Sequence, residues 1–293
     1  MLNRSSFKFK WRYGGNEEIK LSKKEAVKFS GLNPKVFENF FRNAGEFNPL
    51  PRAHNRGWFY FDREELEDWK NRYESRIFTL SGDDYARCVD FALAMHFRGY
   101  VLSDWGTGRQ REFGQKLSNW VRGQLGEIGF KYFCRDRLGL EIELDFDMHD
   151  EIVPQDVLSI TKNGVAKKPV NKIGIKASKP KSSFLVLSPN EVELEERLSD
   201  IYVFTRVDLP DDHLLRIAHK EIRELVKNQQ HYHLYEKFIP RFQNINVEVA
   251  GFAYKNDLDI VDEIPGQAFD GRRYVKRSGE LRRSLEDWIE AVC

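Results

Sequence analysis

The stretch from 112 to 209 changes its hydrophobic period from helical to alternating and back, and this restricts the fold more than any other feature. Phe113, Leu117, Trp120, Val121, Leu125, Ile128 and Phe133 recur at helical spacing and form one broad apolar side, with Gly139 as the stop. "LEIELDFDMH", residues 140–149, then alternates strictly, setting Leu140, Ile142, Leu144, Phe146 and Met148 against Glu141, Glu143, Asp145, Asp147 and His149. That pattern predicts a half-buried strand with an acidic outer face. "QDVLSI" and "KIGIKASK" read as two further strands joined by a lysine-rich turn around Asn163–Gly164. "PNEVELEERLS" reads as a helix, and "DIYVFTRVDL" as a strand apolar enough for the middle of a sheet. The order helix, three strands, helix, strand predicts an α+β or α/β unit built on a mixed sheet.

At 293 residues, 41% apolar and 13% aromatic, the chain has the composition of a folded protein of two domains, or of one with an appendage. No apolar run approaches the roughly 20 residues of a membrane helix. "MLNRSSFKFKWRYGG" lacks the apolar centre of a secretory signal. Cys88, Cys134 and Cys293 are odd in number and widely spaced, fitting neither a disulfide framework nor a zinc site. The expectation is a cytoplasmic protein with no membrane partner.

Net charge is only +1, but its distribution is uneven. Residues 1–61 carry twelve Lys/Arg against five Asp/Glu, and residues 162–181 carry seven lysines and no acid. Residues 271–283 hold six Lys/Arg against one Glu, whereas residues 136–156 hold eight Asp/Glu against Arg137 alone. Basic segments around an acidic block suit a protein that binds a polyanion and holds a cation at its centre. The alternative for any single run is a solvated face.

The N-terminal region reads as a small helical module. Ser22 with Glu25 makes a capping box, and Asn33 followed by Pro34 starts a second helix with Val36, Phe37, Phe40 and Phe41 along one side. Its other side offers Lys35, Asn39, Arg42 and Asn43. "NPLPRAHNRGWFYF" predicts a hairpin with Arg52, His54 and Arg56 near its tip, and Asp62 caps a closing helix with Leu66 and Trp69 inward. Through "LSKKEAVKFSGLNPKVFENFFR" and "GWFYFDREELEDW" this stretch resembles the winged helix-turn-helix units of MerR-type and excisionase-type proteins. The resemblance implies a second helix in the DNA major groove and a hairpin on the backbone. Protein docking is the other use of such modules.

The order of elements from 112 onward, with Asp156 in "PQD" and Lys176 in "GIK", resembles the core of the PD-(D/E)xK nucleases, the fold of most type II restriction endonucleases. The resemblance implies that Asp156 and Lys176 work at one or two divalent metal ions, here Mg²⁺, with an added Glu from the first helix. It also implies an acid at the position of Gly174, where this chain departs from the family. The missing carboxylate is therefore expected from another element: Glu127, on the preceding helix among small and apolar neighbours, or Glu143 on the neighbouring strand. Catalytic roles fall to Asp156, Lys176 and Glu127, and metal-ligand roles to Asp156, Glu127 and Glu143. Lys179 at the strand exit and Arg272, Arg273, Lys276 and Arg277 in a basic C-terminal loop are expected phosphate or base contacts. Ser178 is a weaker phosphate candidate. "QQHYHLYEKF" holds His231 and His233 but no partners that would complete a zinc site.

The expected organisation is a winged helix-turn-helix at 1–76, a helical connector at 77–103 and a nuclease unit at 104–293. A restriction-type enzyme acting on double-stranded DNA implies a homodimer and a cognate DNA methyltransferase encoded nearby. A repair or structure-selective nuclease, and a non-catalytic DNA-binding regulator with a decayed core, are the alternatives.

Overall fold

The computed structural model describes residues 20–42, 53–55, 58–97, 113–146, 156–235, 243–264 and 271–293. The chain is of mixed α and β structure and divides into two compact units, Met1–Arg76 with Arg277–Glu280, and Ile77–Lys276 with Leu281–Cys293.

In the first unit β1 (Lys20–Ser22) leads into α1 (Lys23–Ser30) and α2 (Pro34–Arg42). β2 (Ala53–Asn55), β3 (Trp58–Asp62) and α3 (Arg63–Glu74) follow, and the strands pair in the order β1-β3-β2. Each helix start is where its cap residue sits. Ser22 and Glu25 exchange hydrogen bonds in a capping box, Asn33 Oδ1 accepts from Lys35 N at 2.9 Å, and Asp62 Oδ1 accepts from Glu64 N and Glu65 N. Phe37, Phe40, Phe61, Leu66 and Trp69 form the core, with the Phe37, Phe40 and Phe61 rings edge-on to their neighbours, so these phenylalanines are packing groups.

The second unit opens with β4 (Ile77–Leu80) and α4 (Gly82–Phe97). The expected connector at 77–103 is therefore corrected over its described part. β4 pairs antiparallel along one edge of the main sheet, and α4, boxed by Ser81 and Asp84, packs on the helix that follows. That helix is α5 (Phe113–Phe133), extended by a π-helical turn that ends where Gly139 adopts a left-handed φ of 64°. β5 (Glu141–Leu144), β6 (Val157–Lys162) and β7 (Val165–Lys167) form a three-stranded meander. Its tight turn is Asn163–Gly164, both at positive φ, as the twist of a two-residue hairpin requires.

β8 (Ile173–Ser178), β9 (Phe184–Leu187), α6 (Pro189–Glu193) and β10 (Ile201–Val207) come next. Then follow α7 (His213–Ile217), α8 (His219–Val226), α9 (Tyr232–Tyr235), β11 (Ile245–Tyr254), β12 (Asp259–Val261), β13 (Arg273–Arg277) and α10 (Leu285–Val292). The main sheet runs β4-β11-β10-β8, with β10 parallel to β8 and antiparallel to β11, and every residue of β10 is buried. A second sheet, β12-β13-β9, uses residues 273–277 as a strand where a basic loop was expected.

α5 lies directly on the main sheet because two of its glycines leave the room. A Cβ on Gly126 would stand 2.5 Å from Thr205 Oγ1, and one on Gly129 would stand 2.3 Å from Val247 Cγ1. The core on this side gathers Phe130, Phe133, Phe252 and Trp288, with ring centroids 4.5–5.6 Å from the Trp288 ring. Leu185, Leu187, Val192 and Leu281 join Tyr202 and Phe204 in a second cluster. Among the described residues no helix is long and apolar enough to cross a membrane, and the three cysteines are free.

Candidate active site

Asp156 stands immediately before β6, and its position is set by the backbone of β8. Its N–H donates to Ile173 O at 3.0 Å, and its Oδ2 accepts from Ile175 N at 2.5 Å. This ties the acid of one strand to the middle of the next. Lys176, one residue beyond Ile175, meets Glu191 Oε1 at 2.5 Å. Glu191 is the third residue of α6, and its other oxygen, Oε2, accepts from Ser188 N at 2.8 Å and Ser188 Oγ at 2.9 Å. One carboxylate therefore caps a helix and holds the lysine.

Glu127 approaches from α5. It is 7% exposed, and its Oε1 accepts from Gln124 Nε2 at 3.0 Å. Burial pushes its carboxyl well above the usual range, and the charge of Asp156 adds to this while Lys176 opposes it. Burial also raises Asp156, against the pull of Lys176 and of the Ile175 N–H. Glu191 goes the other way: burial works against its ionised form, but Lys176 and Ser188 outweigh it and hold the carboxyl low. Lys176 is correspondingly raised, because Glu191 and Asp156 outweigh the cost of its burial. The result is an ionised Lys176–Glu191 pair beside two acids that resist ionising together.

At Gly174 side chains from other elements take the space: a Cβ there would stand 2.6 Å from Ser199 Oγ and 3.4 Å from Tyr202 Cδ1. Ser199 N donates to Tyr202 Oη at 3.3 Å, and Tyr202 Oη donates to Glu191 O at 2.7 Å. The position to which the resemblance assigns an acid is thus a packing position, and its packing partners support the helix that delivers Glu191.

Asp156, Lys176 and Glu127, all chosen from the sequence, come together: Glu127 feels the charge of both Asp156 and Lys176, and those two feel each other. Glu143 does not join them. On β5 its side chain accepts from Ser159 Oγ at 2.9 Å and lines a separate groove with Asp84, Arg87 and Lys131. The strand alternation that made Glu143 conspicuous is the reason it faces away. Glu191 is the residue that the sequence reading missed. Its signal was "SPNE", a serine–glutamate capping box, but a cap and a site ligand look alike in sequence.

Among the described residues no three His, Cys, Asp or Glu side chains make a ready metal cluster. Mg²⁺ does not require one, because it keeps several waters and is commonly held by one or two carboxylates together with substrate phosphate. Asp156 Oδ1 and Glu127 Oε2 accept no hydrogen bond among the described residues. Two hard oxygens in mutual repulsion are a donor set that a divalent cation fits.

The expected DNA contacts are scattered. Lys35 is exposed and Asn39 half-buried on α2. For Arg42 and His54 only the backbone is described, and Asn43, Arg52 and Arg56 lie outside the described residues. Lys179 pairs with Asp211 at 2.6 Å, and Ser178 Oγ donates to Ser182 Oγ at 2.6 Å. Arg272 pairs with Glu193 and Lys276 with Asp259, while Arg273 donates to the Arg272 carbonyl and Arg277 ends β13. Comparison with protein-family models, curated proteins and solved structures returns no match.

Proposed function

We propose that the protein is a Mg²⁺-dependent endonuclease of the restriction type that cuts double-stranded DNA, with the PD-(D/E)xK arrangement in its second unit and a winged helix-turn-helix in its first. The observation that carries this reading is the convergence of Asp156, Glu127 and the Lys176–Glu191 pair at the junction of β6, β8, α5 and α6. Glu191, from α6, sets beside Lys176 the carboxylate that Gly174 cannot, and it holds the lysine rather than the metal. A bound Mg²⁺ would polarise the phosphoryl oxygen and lower the pKa of a water, and Asp156 and Glu127 are the residues that would hold it. Lys176, kept charged by its two acids, stabilises the negative charge that builds on the phosphoryl group and orients the attacking water. Gln124 holds one oxygen of Glu127, and the Ile175 N–H holds one oxygen of Asp156.

The order β-α-α-β-β-α in the first unit supports target reading through the exposed side of α2, with Lys35 and Asn39 as contacts. Two strands must be cut, so the active form is a homodimer. Plasmid DNA incubated with Mg²⁺ is expected to yield discrete fragments, and Asp156→Ala and Lys176→Ala to abolish them. A ladder of random products selects a repair or structure-selective nuclease. Tight operator binding with no turnover selects a DNA-binding regulator.

A further inference from the structure

Arg122 is a cation that the nuclease reading does not use. It lies on α5 one turn before Gly126, on the side that meets the sheet beside Ala177 and Thr205. It is 8% exposed, and its Nε has no hydrogen-bond partner among the described residues. Burial pulls its pKa down and the charge of Asp211 partly offsets this. Sealing a guanidinium nitrogen from water without a partner is costly, and Nε is the one so sealed. Arg is also the side chain best shaped to grip phosphate oxygens through two donors.

The surroundings are cationic. Asp211 is pulled low first by Lys179, then by Arg122 and Lys181, and its side chain is 80% exposed and ion-paired to Lys179. His213 is no competing acceptor. Its Nδ1 accepts from Tyr85 Oη at 2.7 Å, and its Nε2–H donates to Ser118 Oγ at 2.8 Å, because the Ser118 hydroxyl is committed to Gly114 O. Lys179 follows Lys176 by three residues, about 10 Å of strand.

We infer that Arg122 and Lys179 form a phosphate subsite at the exit of β8, with Asp211 as the resident counter-ion that an arriving phosphate displaces. The inference rests on the nuclease reading only for the source of that phosphate, a neighbouring phosphodiester of the strand being cut. The anion site itself stands on the buried guanidinium.

The test uses the full chain. Inorganic phosphate is expected to raise the melting temperature of the wild type but not of Arg122→Gln or Lys179→Gln, and Asp211→Asn is expected to bind phosphate several-fold tighter. Without phosphate, Arg122→Gln melts at or above the wild-type temperature, whereas an arginine that merely supports the fold would melt lower on substitution. For a duplex oligonucleotide without divalent metal, the slope of log K against log salt flattens by about 0.9 in Lys179→Gln if the phosphate is that of DNA. Phosphate stabilisation with an unchanged slope, or with no duplex binding at all, keeps the subsite and assigns it to a free or small-molecule phosphate. Equal phosphate response in the wild type, Arg122→Gln and Lys179→Gln overturns it.

Discussion

Lys176 and Arg122 are two cations of the same unit, the first partly exposed and the second buried, and the fold treats them oppositely. Lys176 has Glu191 at 2.5 Å and Asp156 one backbone hydrogen bond away, so its charge is matched before any substrate arrives. Arg122 has neither a hydrogen bond at Nε nor an ion pair among the described residues. A matched charge is a fixed tool whose geometry the protein sets. An unmatched one is a demand for an anion from outside. On the nuclease reading, the first would act on the reacting phosphate and the second would hold a neighbouring one.

The sharpest way to break this comparison is to exchange the two lysines of β8 and its exit for alanine. Lys176→Ala is expected to cut the single-turnover cleavage rate by about 10²- to 10³-fold, the loss typical of removing one charge-stabilising donor. Lys179→Ala is expected to leave that rate near wild type and raise the DNA concentration needed for half-maximal rate. Similar losses in both would dissolve the distinction.

Stability effects come next. Gly174→Ala forces a methyl group against Ser199 and is expected to destabilise the fold by about 1–3 kcal/mol in a urea melt. Gly174→Glu, which would restore the family's acid in name, is expected to lose stability without gaining activity. If Gly174→Glu instead cleaves faster at unchanged stability, the packing account of Gly174 is wrong.

The smallest expected effect is on pH dependence. Burial, then the Arg122 charge, pulls His213 down to about 4 from an ordinary 6.5, against the weaker opposing pull of Asp212 and Asp211. The unfolded chain therefore binds a proton that the folded chain refuses between these values. Its contribution to stability is complete above pH 6.5 and is lost as pH falls toward 4. His213→Gln should flatten the melting temperature against pH in that window, and Arg122→Gln should raise the His213 pKa measured by NMR.

Local chemistry was legible in the sequence where a few neighbouring residues decide the outcome. The capping boxes at Ser22 and the Asp62 cap start their helices, Gly139 ends its helix, and "LEIEL" alternates as its strand does. Asp156, Lys176 and Glu127 stood out for the same reason, as charged groups among apolar neighbours. What escaped depends on distant partners. β4 is only four residues long and pairs with β11, where Thr79 Oγ1 donates to Asn246 Oδ1 across 167 residues of chain. Ser199, which fills the space at Gly174, is 25 positions away and carries no mark of that role. Glu191 was hidden by serving a cap, and Glu143 misled because alternation reports which residues share a face but not which face holds the site.

The nuclease reading turns on Glu191 of α6 serving Lys176 in place of an acid on β8. Single-turnover cleavage of a plasmid in Mg²⁺ by Glu191→Ala and Glu143→Ala, measured side by side with the wild type, tests it most directly. Glu191→Ala is expected to lose about 10²-fold or more in rate and Glu143→Ala to cleave as the wild type does. Full activity in Glu191→Ala, with loss in Glu143→Ala, would contradict it.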